Sequence, residues 1–224
     1  MTELLSGFML PPGLILILGA FLLPQLEGKA RYAAVLILPV LTLAMVWIVP
    51  DGSNAFFRFM DYELEPLRST AEGRLFATIF AIAAFGGGLY ALNKATVLEL
   101  SAAFFYAGSA IGVTFSGDLI TLFIYWEMMA LGSTLVLWAN GGEQPGGRKG
   151  NPRVYAASMR YLLIHLFGGV VLMAGIVAHV ADTGSISFTA MQPDNIARWL
   201  IMIGFLINAG APPLSAWIAD AYPE

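Results

Sequence analysis

The 224-residue chain is 58% hydrophobic and only 12% charged, and its mean hydropathy is +0.75. Soluble domains carry about a quarter charged residues, so this composition excludes a water-soluble globular protein and indicates a surface that largely faces lipid. The net charge of −4 offers no basic footprint for nucleic acid, and the absence of cysteine excludes disulfides, thiolate catalysis and cysteine-based metal sites.

Seven apolar stretches follow one another along the chain. A bilayer core needs roughly 20 residues of helix, and each stretch approaches that length. These stretches are Leu4–Leu23, Tyr32–Val49, Leu75–Leu92, Leu98–Phe115, Leu119–Trp138, Tyr155–Val180 and Ile196–Leu214. They predict an all-α integral membrane protein with about seven transmembrane helices. The first stretch follows Glu3 without a basic segment, which favours a retained helix over a cleaved signal peptide.

Three connections between these stretches are long. The charged segment Asp51–Arg74 also contains several aromatic residues, and we expect it to lie in the membrane interface as an amphipathic segment. Gly141–Pro152 is a polar, glycine-rich loop, and Asp182–Asn195 contains a short run, Ser185–Ala190, that fits either a turn or a strand. No internal repeat is visible.

Basic residues are distributed unequally between the connections. The odd-numbered connections and the adjoining start of the sixth helix contain Lys29, Arg31, Lys94, Arg148, Lys149, Arg153 and Arg160. The even-numbered connections contain Arg58, Arg68, Arg74 and Arg198. Because loops rich in lysine and arginine stay in the cytoplasm, this distribution predicts that the odd-numbered connections are cytoplasmic and the N-terminus is outside.

One acidic residue, Glu127, falls inside an apolar stretch. It lies about nine residues into the fifth predicted helix, roughly 13 Å deep at 1.5 Å per residue. A carboxylate at mid-bilayer costs on the order of 2.5–3.5 kcal/mol by insertion scales, so such a residue is usually neutral, paired or next to a wet cavity. Glu127 is therefore either a proton or cation relay or a protonated carboxyl group hydrogen-bonded to a neighbouring helix.

The sixth predicted helix carries Arg160 and His165. Five residues apart, they differ by about 140° around the helix and do not share one stripe. Arg160 either snorkels to the cytoplasmic end or reaches inward to pair with Glu127. His165 titrates near neutral pH and can extend a proton relay, although a lone histidine on an apolar helix is more often a hydrogen-bonded packing residue.

The seventh helix is predicted to break at Pro212 and Pro213, because proline lacks an amide hydrogen and clashes with the carbonyl four residues earlier. Broken membrane helices expose backbone groups that can bind ions or orient water where a cavity surrounds them. Asn208, one turn before the break, can donate and accept hydrogen bonds. The alternative is a simple helix exit with Trp217 as an interfacial anchor.

Two motifs carry a resemblance to a known family. The stretch from Ser116 to Leu131 (SGDLITLFIYWEMMAL) resembles the fifth helix of the antiporter-like membrane subunits, and the stretch from Arg160 to His165 resembles the sixth. The final segment, 208–224 (NAGAPPLSAWIADAYPE), resembles the broken seventh helix and the following loop. The family includes the D and A subunits of Mrp-type sodium/proton antiporters and the proton-pumping subunits of NADH-quinone oxidoreductase, or complex I. The D subunit gives the strongest resemblance.

The resemblance implies an incomplete antiporter-like fold, matching only the N-terminal half of a fold with about fourteen helices. Residues 1–115 would form helices 1–4, and residues 116–224 would form part of the first repeat. In the family, the glutamate matching Glu127 pairs with a lysine on the seventh helix, but that lysine position is Asn208 here. Ser215 and Ala219 also replace a frequent histidine and a frequent proline. Arg160, at a basic position of the family, becomes the best partner for Glu127.

The implied function is a membrane subunit of a cation- or proton-translocating complex, with Glu127, Arg160, His165 and Asn208 as relay residues. The expected partners are other membrane subunits, the lipid bilayer, protons and also sodium ions. The alternative is a truncated chain that serves as a structural accessory subunit without conducting ions. Neither a cofactor nor a metal site is predicted, and no catalytic constellation supports a membrane enzyme.

Overall fold

The computed structural model describes residues 9–142, 151, 153–213 and 215–221. These residues are mostly helical and include one β-hairpin. The elements are α1 (Gly13–Leu22) with a short 3₁₀ turn (Leu23–Gln25), α2 (Gly28–Ile48), β1 (Gly52–Phe59), β2 (Tyr62–Ser69), α3 (Ala71–Ala91), α4 (Val97–Phe115), α5 (Leu119–Ala139), α6 (Arg153–Thr183), α7 (Ile196–Asn208) and α8 (Ala216–Ala221).

Helices α2 to α6 are each long and apolar enough to cross a membrane. The segment Gly13–Gln25 and helix α7 are shorter apolar helices. The prediction of an all-α integral membrane fold is thereby confirmed, and the chain is an integral membrane protein. The part of the first predicted span at residues 4–8 lies outside the described residues, as does most of the predicted loop Gly141–Pro152.

Helices α2 to α7 each pack on their neighbours in the chain, whereas α1 packs mainly on α4, and the connections divide between two ends of the bundle. We call one end the hairpin end, where the hairpin and the connections α4–α5 and α6–α7 lie. The other is the basic end, with the connections α1–α2, α3–α4 and α5–α6. Two buried apolar clusters fill the interior, one among α1–α4 and the hairpin and a smaller one among α5–α7. The division of the chain into 1–115 and 116–224 stays a prediction.

The connection between α2 and α3 differs from the expected amphipathic interfacial segment. It forms an antiparallel hairpin, β1–β2, with register irregularities in β1 around Ala55. Glu65, Leu67 and Ser69 alternate with more exposed residues of β2, so a strand period of two directs them toward the ends of α4 and α5. The aromatic residues on which the prediction of an amphipathic segment rested lie on the exposed part of the hairpin. They are Phe56, Phe57, Phe59 and Tyr62.

A polar seam joins three connections at the hairpin end. The Gly117 amide donates to the Glu65 carbonyl at 2.9 Å, and the Glu65 amide donates to Asp118 Oδ2 at 2.7 Å. On the other side, the Phe188 amide donates to the Gly117 carbonyl at 3.0 Å, and an isolated β-bridge pairs Asp118 with Ser187. The run Ser185–Ala190 therefore contributes a single β-bridge at Ser187 and forms no regular strand.

Glycine is required at position 117, because a Cβ there would overlap the Glu65 carboxylate, which is ion-paired with Arg68. Asp118 is almost fully buried and begins α5 as its N-cap, accepting from the Thr121 amide at 2.8 Å and the Thr121 hydroxyl at 2.6 Å. One carboxylate thus satisfies donors of both the helix and the hairpin, which fixes the start of α5 against β2.

We expect Asp118→Ala to lower the free energy of unfolding by about 2–4 kcal/mol, because it removes a helix cap and leaves the buried Glu65 amide without an acceptor. The matched control is Asp194→Ala, which loses an exposed ion pair with Arg198 and should lower it by less than about 1 kcal/mol. Thermal unfolding of the two purified variants in detergent checks this. Equal melting temperatures for both variants would contradict the capping role.

Candidate functional site

Glu127 lies near the middle of α5, as the ninth of 21 residues. Its carboxylate contacts α6 at Gly169, where a Cβ atom would overlap Oε1. Oε1 is buried and has no hydrogen-bond partner in the part of the chain that the structure describes. The carboxylate is therefore directed between helices, and the missing side chain of Gly169 provides its space.

Asn208, the last residue of α7, contacts the neighbouring glycine of the same pair, Gly168. With its amide oriented to match its neighbours, the side chain accepts from Trp126 Nε1 at 2.6 Å and donates to the His165 carbonyl at 3.3 Å. Trp126 precedes Glu127 on α5. One buried amide thereby links α5, α6 and α7 at the depth of the candidate relay residue.

His165 is buried, with only 6% of its surface exposed. Its Nδ1 lies 2.9 Å from the Tyr161 carbonyl one turn earlier, and its ring stacks on the Tyr161 ring with 3.9 Å between centroids. The Trp217 ring approaches edge-on at 4.6 Å. The imidazole is therefore held in an aromatic enclosure on the inward face of α6.

Arg160 lies on the exposed face of α6, away from the inward-facing His165. In the described part of the chain no ion pair joins it to Glu127, so the inward alternative is not the arrangement seen. The exposed position on the third turn from the basic end is the one expected for snorkelling. The structure brings Glu127, His165 and Asn208 together around α6, and leaves Arg160 outside this group.

Helix α7 ends at Asn208, four residues before Pro212, and the short helix α8 begins at Ala216. The end is a Schellman motif: Gly210 has a φ of +67°, its amide donates to Ile207, and the Ala211 amide donates to Leu206 at 3.0 Å. The predicted break at Pro212–Pro213 is confirmed. Its physical reason is that Pro212 and Pro213 cannot continue the helical hydrogen bonds.

Trp217, in the short helix α8 after this break, is buried, and its indole nitrogen donates to the Ile207 carbonyl at 3.3 Å. It also contacts the Tyr161 ring edge-on at 5.2 Å. The alternative of an interfacial anchor is therefore wrong for this residue, because its ring closes the aromatic enclosure around His165 instead of facing lipid.

A cavity of about 260 Å³ lies beside this enclosure, lined by residues that include Trp126, Ser133, Tyr161, His165 and Asn208. A second cavity of about 370 Å³ shares three lining residues with it and extends to the basic end. The shared residues are Tyr106, Ser133 and Tyr161, and the outer lining includes Asn140 and Ala221. Glu127 does not line either cavity, whereas its neighbour Trp126 lines the inner one.

Polar groups follow the cavities from Asn208 toward the basic end. The Ser133 and Tyr161 hydroxyls lie 2.8 Å apart where the two cavities meet, and Asn140 lies at the end of α5. These residues were not predicted from the sequence, although their helical spacing is visible in it. Trp126, Ser133 and Asn140 are spaced by seven residues and so share one stripe of α5, and Tyr161 precedes His165 by one turn.

The residues that build this site match a known family. The family described as "NADH:quinone oxidoreductase/Mrp antiporter, TM" matches residues 116–224, which include α5, α6, α7 and the break. Residues 116–224 belong to the antiporter-like membrane subunits. The match begins two residues before the N-cap of α5, Asp118, and includes every residue of the site except Tyr106.

Curated relatives are similar over about half of this chain. The Na(+)/H(+) antiporter subunit A1 of Staphylococcus aureus is 30% identical over 128 residues, which is 52% of this chain and 15% of the relative. An uncharacterized protein of Mycobacterium tuberculosis is 27% identical over 114 residues, 49% of this chain and 17% of the relative. The matched part is thus a small fraction of each relative's length.

Solved structures share the fold over nearly the whole chain. A chain of the membrane-bound sulfane sulfur reductase, an archaeal respiratory membrane complex, matches with a TM-score of 0.76 at 21% identity, covering 96% of this chain and 36% of that one. A chain of respiratory complex I from Thermus thermophilus matches with a TM-score of 0.70 at 16% identity, covering 94% and 47%. The antiporter-like fold predicted from the motifs is confirmed.

We expect Gly169→Ala to destabilise the protein, because the added methyl group meets the Glu127 carboxylate between two packed helices. Gly86→Ala is the matched control: Gly86 lies inside α3, and a Cβ there meets nothing within 4 Å. The control should be neutral or stabilising by up to about 1 kcal/mol, since alanine is the better helix former. Melting temperatures in detergent measure the difference, and a neutral Gly169→Ala would show that the contact with Glu127 is loose.

Proposed function

We propose that this chain is a membrane subunit of a cation- or proton-translocating complex and that α5, α6 and α7 form part of its proton path. The single observation that carries the proposal is the position of Glu127. Its carboxylate lies midway along the membrane-spanning helix α5 and points toward α6, where Gly169 has no side chain to occupy the same space.

The second support is energetic. A buried carboxylate oxygen without a donor costs free energy, and the membrane interior raises that cost. No packing advantage offsets it, because leucine or methionine would fill the same space without a polar atom. Such an unsatisfied group is expected where its function is to accept a proton or a cation.

The third support is the pair of adjacent cavities, which share three lining residues. They lead from Asn208 and Trp126 to the basic end past side chains that both donate and accept hydrogen bonds, among them Ser133, Tyr161 and His165. Groups of this kind, with water between them, can pass a proton from one to the next. Trp126 and Asn208 lie at the inner end of this route, one residue from Glu127 on α5 and next to the same glycine pair on α6.

We infer a proton as the ion that the path carries. The site contains one carboxylate, one imidazole and several hydroxyls, whereas in the described residues no group of three or more histidine, aspartate or glutamate side chains is placed to hold a metal ion. A sodium ion requires several oxygen ligands around it. Sodium coupling, as in the name of the staphylococcal relative, would then belong to other subunits of the assembly.

Glu127→Gln is expected to reduce proton translocation at least tenfold in the complete membrane complex, because glutamine keeps the shape of the side chain but cannot release a proton. The matched control is Glu63→Gln on the exposed part of the hairpin, which should leave translocation unchanged. The measurement uses complexes reconstituted in vesicles with an internal pH-sensitive dye. Unchanged translocation by assembled Glu127→Gln complexes would rule out the relay role.

A structural accessory subunit is the second candidate. The observation that favours it is the lack of a cation beside Glu127 in the described part of the chain: Asn208 occupies the position of the family's lysine, and Arg160 lies on the opposite, exposed face. In this case Glu127→Gln would change the yield of assembled complex but not the transport rate per complex. Quantifying assembly by native gel alongside transport separates the two functions.

We also propose that the basic end faces the cytoplasm of a bacterial-type inner membrane, with the N-terminus outside. Of the four basic residues at the hairpin end, Arg68, Arg74 and Arg198 are each ion-paired with a carboxylate, and Arg58 is the fourth. The basic end carries Lys29, Arg31, Lys94 and Arg153 on its described connections and helix starts. Lysine and arginine concentrated near the helix ends hold that side in the cytoplasm.

Because the chain has no cysteine, single-cysteine variants test this orientation directly. We expect Glu63→Cys at the hairpin end to react with a membrane-impermeant maleimide in intact cells. Lys94→Cys at the basic end should react only after the membrane is permeabilised. The reverse pattern would invert the proposed topology.

A further inference from the structure

A lateral groove of about 510 Å³ opens between α1, α4 and α5, away from the candidate proton path. Its lining is almost entirely apolar. The main lining residues are Phe21 of α1, Pro24 of the following 3₁₀ turn, Ser101 and Phe105 of α4, and Leu135 and Trp138 of α5. Phe21 and Leu135 are exposed on the side of the bundle, so the groove opens toward lipid and not toward either aqueous end.

The groove occupies only one half of the membrane thickness. It is formed by the last part of α1, the first three turns of α4, the last three turns of α5 and Leu162 in the third turn of α6, all of which lie toward the basic end. A transmembrane helix from another subunit spans both leaflets, so about half of its length would lie outside such a groove. A groove confined to one leaflet matches a lipid acyl chain.

One polar atom in the groove lacks a partner. The Ser101 hydroxyl oxygen is buried and has no hydrogen-bond partner among the described residues, whereas the other hydroxyl in the groove, on Thr134, donates to the Ala130 carbonyl. Ser101 is the fifth residue of α4, about 6 Å along the helix from its first residue at 1.5 Å per residue. That depth is close to the boundary between the hydrocarbon and the headgroups, where lipid ester carbonyls lie.

Positive charge flanks the outer end of the groove. Arg31 Nε donates to the Leu23 carbonyl at 3.3 Å, directly before Pro24 of the lining. Arg153 begins α6, and Tyr155 of the same turn packs edge-on against Trp138 at 5.3 Å. Two acidic residues lie at this end of the bundle: Glu27, which is exposed and followed by Lys29 and Arg31, and Glu99, which lines a different cavity on the α3 side of α4. This end therefore attracts an anionic headgroup.

We propose that the groove binds one anionic phospholipid from the leaflet at the basic end. Its acyl chain fills the apolar lining between α1, α4 and α5. The Ser101 hydroxyl donates to an ester carbonyl of the lipid, and the phosphate lies between Arg31 and Arg153. The site is separate from the cavities beside Asn208 and does not depend on ion translocation.

The test uses the complete complex, purified in detergent and stripped of lipid, and titrated with phosphatidylglycerol or phosphatidylcholine. Native mass spectrometry counts the bound lipid. Ser101→Phe, which fills the groove, should lower phosphatidylglycerol retention at least tenfold. Leu163→Phe, at an exposed position of α6 outside the groove, should leave it unchanged. Equal retention by these two variants would overturn the proposal.

A second variant covers the case in which Ser101→Phe fails to fold. Arg153→Gln leaves the groove intact and removes one charge, so it should weaken phosphatidylglycerol binding about fivefold and leave phosphatidylcholine binding unchanged. Equal binding of the two lipids by the unaltered chain would overturn the anionic specificity. Cross-linking of Leu135→Cys to a neighbouring subunit in the native complex would assign the groove to a protein and refute the lipid site.

Discussion

The arrangement of the site depends on two adjacent glycines of α6. Gly168 and Gly169 leave no side chain where α5 and α7 approach, so Asn208 enters against one and Glu127 against the other. Glycine pairs in membrane helices usually let two backbones approach closely. Here the space serves two polar side chains, one from each neighbouring helix. The pair therefore sets the depth at which polar groups enter an otherwise apolar bundle.

The polar interior remains compatible with a membrane because most of its groups are satisfied locally. The Asn208 amide is shared between Trp126 and the His165 backbone, and the Ser133 and Tyr161 hydroxyls contact each other. Each such contact offsets the cost of removing a polar group from water. Within this site Glu127 differs, since its buried oxygen has no donor in the described residues. The contrast between the satisfied network and this carboxylate is the reason for proposing Glu127 as the relay residue.

Sequence alone predicted the features that depend on local chemistry. Hydropathy predicted the membrane helices, and Pro212 and Pro213 predicted the break in α7. The position of Glu127 in the middle of an apolar stretch marked it as an unusual acidic residue. The hairpin was missed because its inward face includes Glu65 and Ser69 as well as Leu67, so the strand period of two is hidden when only apolar residues are followed. Partners distant in the chain, such as Gly117 with Glu65, depend on the fold and leave no local signal.

The site likewise combines features that are visible in the sequence with features that depend on the fold. Tyr161 and Ser133 have a visible helical spacing, but only the packing of α5 on α6 brings their hydroxyls together. The inward alternative for Arg160 followed from charge complementarity with Glu127. The angular difference between Arg160 and His165 already opposed it, because an inward His165 turns Arg160 toward the exterior. Geometry along one helix was more informative here than the matching of opposite charges.

The early end of α7 has an electrostatic consequence. Thirteen helical residues extend about 20 Å, less than the roughly 30 Å of the hydrocarbon core, so the C-terminal end of this helix lies within the membrane. A helix C-terminus carries a partial negative charge of about half an electron, and this one ends at Asn208 and Ala209, which line the inner cavity. In a medium of low dielectric constant that field is weakly screened. It favours a hydrated proton over an anion in the inner cavity beside His165, although none of the described residues that line this cavity is acidic.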